Sequence, residues 1–203
     1  QNSEMAYRVR NALSPDLQRY RLSLIPNLLD KVHSNIKSGE AEFVLFELGK
    51  SHIKEHLEKD SGLPIEFQHL SLVYANKSKI DGSTYFVVRA YLESLLNSLG
   101  IEFSTVKLDK EIFGPKHPLC SPFQYGKSAG IEIDGQLRGI IGEFTTNVYK
   151  NFKLPEASAG FELDLGFISE NFNLDPNYKP LSKFPSISQD ITMDDPLKTL
   201  FRD

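Results

Sequence analysis

The stretch SAGIEIDGQLRGIIGEF, residues 128–144, constrains the fold more than any other part of the chain. Its two β-prone arms meet at Asp134-Gly135, a pair suited to the positive backbone angles of a tight two-residue turn. The arms must therefore lie side by side and antiparallel. Other segments extend the sheet. AEFVLFELGK is an apolar run too short for a buried helix and reads as an interior strand, and IEFQHLSLVYANK alternates through Leu70, Leu72 and Tyr74. IEFSTVKLD and AGFELDLGFI are further strands, whereas SHIKEHLEKDSGLP is polar and turn-rich and GPKHPLCSPFQYGKS reads as the longest loop.

Helices flank these strands. Ser14-Pro15-Asp16 combines a capping hydroxyl, a proline at the first helical position and an acid in the first turn, which predicts a helix through Leu17, Tyr20 and Leu24. Pro26 cannot continue that helix, but a second one can begin near Ser23 to Pro26. Along it, Ile25, Leu28, Leu29, Val32 and Ile36 form one apolar stripe that ends at Ser38-Gly39. Burying the five side chains contributes roughly 8–15 kcal/mol before chain entropy is subtracted. A third helix is predicted over YFVVRAYLESLLNSLG, where Phe86, Ala90, Leu92, Leu95, Leu96 and Leu99 recur at helical spacing. The expected class is α+β, an antiparallel sheet flanked by helices. NLDPNYKPLSKFP has the composition of a domain junction, and SISQDITM beyond it resembles the opening strand of a new unit.

Composition narrows the function. The 203 residues carry a net charge of −4, against a surface built mainly for nucleic acid. A small local basic patch stays open. The single cysteine, Cys120, has no internal disulfide partner, which fits a reducing cytoplasmic setting. No apolar run approaches the eighteen or so residues of a membrane span. The first methionine is Met5, and the C-terminal DDPLKTLFRD reads as the first turns of a helix that stops, so an excised fragment is expected.

Candidate chemistry is sparse. His52 and His56 are four apart, but no third ligand follows at a zinc-site spacing, so no metal site is assigned. His117 and Cys120 form a nucleophile pair only if folding joins them. Gly139 and Gly142 lack the Lys-Ser/Thr of a phosphate loop and are read as permitting close backbone packing or a bulge. Glu162 and Asp164 alternate onto one strand face, where solvent exposure explains them equally well. Arg21 has two readings, a guanidinium tying carbonyls or a carboxylate at a helix junction, or a surface arginine.

In order and spacing, these residues resemble the bacterial phenylalanyl-tRNA synthetase beta subunit, in its synthetase-like but non-catalytic domain. Asn11, Leu13 and Ser14 match one motif, and Arg21, Ser23, Leu24, Pro26, Leu28, Leu29 and Asn35 match the next. Phe46-Glu47-Leu48-Gly49-Lys50 resembles a strand end of the family. Glu93, Leu95, Leu96, Leu99 and Gly100 are similar to its next helix. Gly126, Ser128, Ala129, the Asp134-Gly135 turn, Gly139, Gly142 and Glu143 resemble its glycine-rich hairpin. Phe161 to Leu165, then Lys183-Phe184-Pro185 through Asp190-Ile191, complete the series. Ala12, Tyr20 and Asn27 depart from the pattern, as do Phe144-Thr145-Thr146 in place of a His-Pro and Gln189 in place of an arginine.

The resemblance implies a class II synthetase-like core over residues 1–180, and a connector with the truncated start of a ferredoxin-like anticodon-binding domain over 181–203. It implies a catalytic alpha subunit as partner in a heterotetramer of two alpha and two beta chains, and tRNA(Phe) as a partner of the full assembly. ATP and magnesium are implied for that assembly, with no cofactor in this part of it. Arginines that grip a triphosphate are expected after particular strands of a catalytic core. Here SHIKEH and EFTTNVYKNF follow those strands without one, so no catalytic residue is assigned. The stripe Ile25, Leu28, Leu29, Val32 and Ile36 is expected to bury against the alpha subunit, with Arg21 fixing the bend, or else to face the domain's own sheet. An independent adenylating enzyme and a tRNA-binding module are the alternatives.

Overall fold

The computed structural model describes residues 4–14, 18–54, 56–108 and 119–166. The expected connector and the start of a second domain lie outside these residues, as does His117.

Six strands form one antiparallel sheet: β1 (Glu42–Ser51), β2 (Phe67–Asn76), β3 (Ser104–Lys107), β4 (Phe123–Ile133), β5 (Gln136–Phe144) and β6 (Ala157–Asp164). Their spatial order is β1-β2-β6-β5-β4-β3, so the last strand of the series lies inside the sheet, paired with β2 and β5. The β4–β5 hairpin turns at Asp134 and Gly135 with φ of 52° and 69°, as the sequence requires.

Three helices cover the sheet. Helix α1 (Ile25–Lys37) and the short α3 (Thr146–Phe152) lie on one face, and α2 (Thr84–Ser98) on the other. Strand alternation sorts the core accordingly. Val73, Ala75, Ile140 and Phe144 meet α1, whereas Leu72, Tyr74, Ile141, Phe161 and Leu163 meet Val88, Leu92 and Leu96 of α2. Phe86 was expected on that buried stripe, but it is 64% exposed because the buried positions are four apart, beginning at Thr84.

Two more expectations are corrected. No helix is found among the described residues before Ile25. Residues near Arg8 and Arg19 pair as a β-bridge, with the Val9 N–H donating to the Gln18 carbonyl (2.8 Å) and the Tyr20 N–H to the Tyr7 carbonyl (2.9 Å). These cross-chain bonds satisfy the backbone without a helix. The stretch read as a long loop contains the start of β4, whose pairing with β5 is interrupted between Phe123 and Ser128. Tyr125, Gly126 and Lys127 stand exposed in that interruption. Helix α3 has no counterpart in the sequence reading, being only about two turns capped by the Thr145 hydroxyl.

Candidate functional site

The stripe proposed as an interface is part of the core. Ile25, Leu28, Leu29 and Val32 are buried against β2, β5 and Phe123, with Ile36 packed at the margin. A side chain already removed from water by its own sheet has no area left to give a partner. The stripe faces the domain's own sheet.

What holds α1 there is a carboxylate on the central strand. Helix α1 begins at Ile25 without a capping side chain of its own at Leu24. Glu162 of β6 supplies the missing acceptor: its Oε2 receives the Leu24 N–H (3.0 Å), the Ile25 N–H (3.2 Å), the Ser23 hydroxyl (2.8 Å) and the Ser71 hydroxyl (2.9 Å). The two backbone amides are donors that a helix start leaves unsatisfied, and the helix dipole favours a negative group at this point. Glu162 is 1% exposed, which corrects the solvent-exposed reading. The signal in the sequence was the first of two alternating acids in the apolar run AGFELDLGF, at the parity that faces α1.

His69 lies beside it, 3.7 Å from Glu162 Oε1 to Nδ1. Burial pushes the imidazole below its ordinary pKa, and the charges of Glu162 and Asp164 oppose that only in part. His69 also lines a cavity of about 200 Å³ with His56, Phe67, Arg138, Cys120 and Asp164. Burial raises the Cys120 thiol to about 12, which makes it a poor nucleophile.

Helix α2 is clamped in the same way from the neighbouring strand. Glu143 Oε1 accepts from the Ser83 hydroxyl (2.6 Å) and the Thr84 N–H (3.1 Å), while Oε2 meets the Lys127 ammonium (2.7 Å). Burial raises the carboxyl's pKa, but the hydrogen bonds and charge of Lys127, with Ser83 and Thr84, outweigh it and hold the group below the usual carboxylate value.

Arg21 ties β1 rather than a helix bend. Its Nε donates to the Lys50 carbonyl (2.8 Å), and its guanidinium pairs with Glu47. A Cβ on Gly49 would collide with that guanidinium, so glycine is what lets the arginine lie flat on the strand. Gly139 and Gly142 similarly allow close approach, of the β6 backbone and of Ser128. His52 and His56 are not joined: the first lies against Tyr20 and near Glu66, the second edge-on to Phe67. On the α2 face of β1, Phe46 and Leu48 are 68% and 64% exposed.

This arrangement, an antiparallel sheet whose inner strands β6 and β5 hold the starts of α1 and α2 on opposite faces, has the core fold of a class II aminoacyl-tRNA synthetase. A pyrrolysyl-tRNA synthetase from Desulfitobacterium hafniense superimposes with a TM-score of 0.56 at 15% identity, over 82% of this chain and 54% of that one. The family described as the phenylalanyl tRNA synthetase beta chain CLM domain matches residues 1–165, and the chain belongs to it. The phenylalanine–tRNA ligase beta subunit of Clostridium tetani is 28% identical over 186 residues, covering 92% of this chain. That of Bacillus licheniformis is 32% identical over 192 residues, covering 89%. The chain spans 22% of the length of each of these two relatives.

Proposed function

We propose that this chain is a catalytically inactive synthetase-like domain of a phenylalanine–tRNA ligase beta subunit. In this reading it packs on and supports the alpha subunit, which attaches phenylalanine to tRNA(Phe) using ATP in a cytoplasmic heterotetramer. The observation that carries the reading is the engagement of the arginines. Arg21 is held by Glu47 and Arg89 by Glu93, so neither planar fork is available to phosphate oxygens without breaking an ion pair. The open α2 face of β1 presents Phe46 and Leu48, side chains with nothing to offer a triphosphate. In this reading ATP and magnesium belong to the alpha partner.

The test is to mix the chain with the matching alpha subunit and follow size-exclusion chromatography with light scattering, together with phenylalanine-dependent pyrophosphate exchange. A stable complex, with exchange absent from this chain alone, is expected. Exchange by this chain alone would establish an adenylating enzyme instead.

A further inference from the structure

The two edges of the sheet are built differently. Strand β3 forms one edge, four residues long and ending at Lys107, and a short charged edge resists further pairing. Strand β1 forms the other, ten residues in unbroken register with β2. It has no proline and no bulge, and its one lysine, Lys50, is next to last. That end of the edge is covered: Arg21 Nε donates to the Lys50 carbonyl, and the His52 N–H donates to the Arg21 carbonyl (3.2 Å). Among the described residues, no hydrogen bond reaches the outer backbone of Val44, Phe46 or Leu48.

The ladder fixes which groups face outward. The Ala41 carbonyl accepts from the Lys77 N–H (2.8 Å) on the β2 side, whereas the Lys50 carbonyl accepts from Arg21 on the outer side. In an antiparallel ladder the direction alternates by residue, so odd-numbered residues of β1 bond to β2 and even-numbered ones point outward. Val44, Phe46 and Leu48 therefore hold their N–H and C=O groups to the open side. The same residues place their side chains on the α2 face, where Phe46 and Leu48 stand exposed. Along that face the strand runs Glu42, Val44, Phe46, Leu48, Lys50, which is acid, aliphatic, aromatic, aliphatic, base. Such an order is complementary to its own reverse.

We propose that this edge pairs with the same edge of a second copy of the chain, β1 antiparallel to β1 about a two-fold axis at Phe46. In this register Phe46 meets its counterpart, Val44 meets Leu48 of the second copy, and Glu42 meets its Lys50, each twice by symmetry. Sliding the pair by two residues sets Glu42 or Lys50 against an apolar side chain, so one register is favoured. On the α1 face Glu47 comes opposite Leu45 but keeps Arg21 as its partner. Lys50, which already meets Glu66 of its own chain, gains a second acid. The contact is a short ladder with few large side chains, which suits a reversible micromolar dimer rather than a permanent one. The pairing does not depend on the ligase reading.

The test follows the mass of the chain by analytical ultracentrifugation over about 1–100 μM, where a monomer–dimer equilibrium is expected. Phe46→Lys sets like charges together on the axis and is expected to weaken the dimer by about a hundredfold or more. Urea unfolding of that variant should match the parent, because the side chain is exposed. Two further variants test the register. Glu42→Lys alone and Lys50→Glu alone each oppose like charges at both ends, and each is expected to dimerise about tenfold more weakly. Mixed, they are expected to form a heterodimer in preference to either homodimer, which damage to the fold could not produce. Three results overturn the proposal: a chain that stays monomeric across the range, a dimer that Phe46→Lys leaves intact, or charge variants with no preference for each other. A monomeric chain whose complex with the alpha subunit is lost in Phe46→Lys gives the edge to alpha, which overturns this proposal and leaves the ligase reading in place. Register-specific dimers of a chain that does not join alpha remove the ligase reading alone.

Discussion

Helices α1 and α2 are pinned to the same sheet by the same device, a glutamate on a neighbouring strand accepting from the helix start, yet the two clamps differ in their surroundings. Glu162 is sealed, with four donors on one oxygen and no lysine or arginine side chain bonded to it. Glu143 opens to the rim and shares its charge with an exposed lysine. A buried acceptor without water to replace it leaves every donor stranded when removed, whereas a rim acceptor is replaced by solvent. The sealed clamp should thus carry more of the stability, and the open clamp should be the adjustable one.

The largest effect is expected at the sealed clamp. Glu162→Ala strands Ser23, Ser71 and the first amides of α1, and is expected to cost about 3 kcal/mol or more, measured by urea unfolding. If it costs no more than Glu143→Ala, the distinction between sealed and open clamps is wrong. Glu143→Ala is expected to cost about 1–2 kcal/mol, since Ser83 still caps Tyr85 and Glu143 itself lines an open cavity with Lys127.

The two clamps should also fail in different pH windows. His69 has a folded pKa below its ordinary 6.5, so its contribution is present above that value and is lost as pH falls through the folded one. Glu143 has a folded pKa below 4.5, so its contribution is present above 4.5 and is lost only as pH falls through a lower value. Hydrogen exchange at successively lower pH is expected to loosen the α1 amides first and the α2 amides later. His69→Leu should flatten the stability slope as pH falls below the ordinary 6.5. Simultaneous loosening of both helices in the parent chain would contradict the two-window account.

The smallest effect is expected away from both clamps, at the arginine on β1. Arg21→Ala is expected to cost about 1 kcal/mol or less, because its pair with Glu47 is a third exposed to solvent. Gly49→Ala should be more harmful with Arg21 present than in the Arg21→Ala background. A double-mutant cycle with no coupling would mean that the guanidinium does not press on this strand in solution.

The readings that succeeded share a cause, which is that each depended on residues close in sequence. Asp134-Gly135 specifies its turn through its own backbone angles, and Leu28, Leu29 and Val32 specify a helical face by spacing alone. The failures each needed a distant partner. Ser14-Pro15-Asp16 carries a valid helix-start signal, but cross-chain pairing between the segments around Arg8 and Arg19 satisfies the backbone instead. The stripe on α1 was legible as apolar, while the surface it covers was not, because spacing says that a face is buried and not against what. Arg21 was legible as a residue that ties groups together, but the strand it ties lies twenty-six residues away at Glu47.

The same division holds for the molecule as a whole. Local sequence determined the antiparallel hairpin, the main strands, two of the helices and the family to which the chain belongs, since turn angles and apolar periods are properties of neighbouring residues. Tertiary structure alone decided that Glu162, 138 positions after Leu24, caps α1, and that β1 forms an edge of the sheet. A hydrogen bond or a shared field acts through space, and its partners are set only once the sheet has brought the strands together.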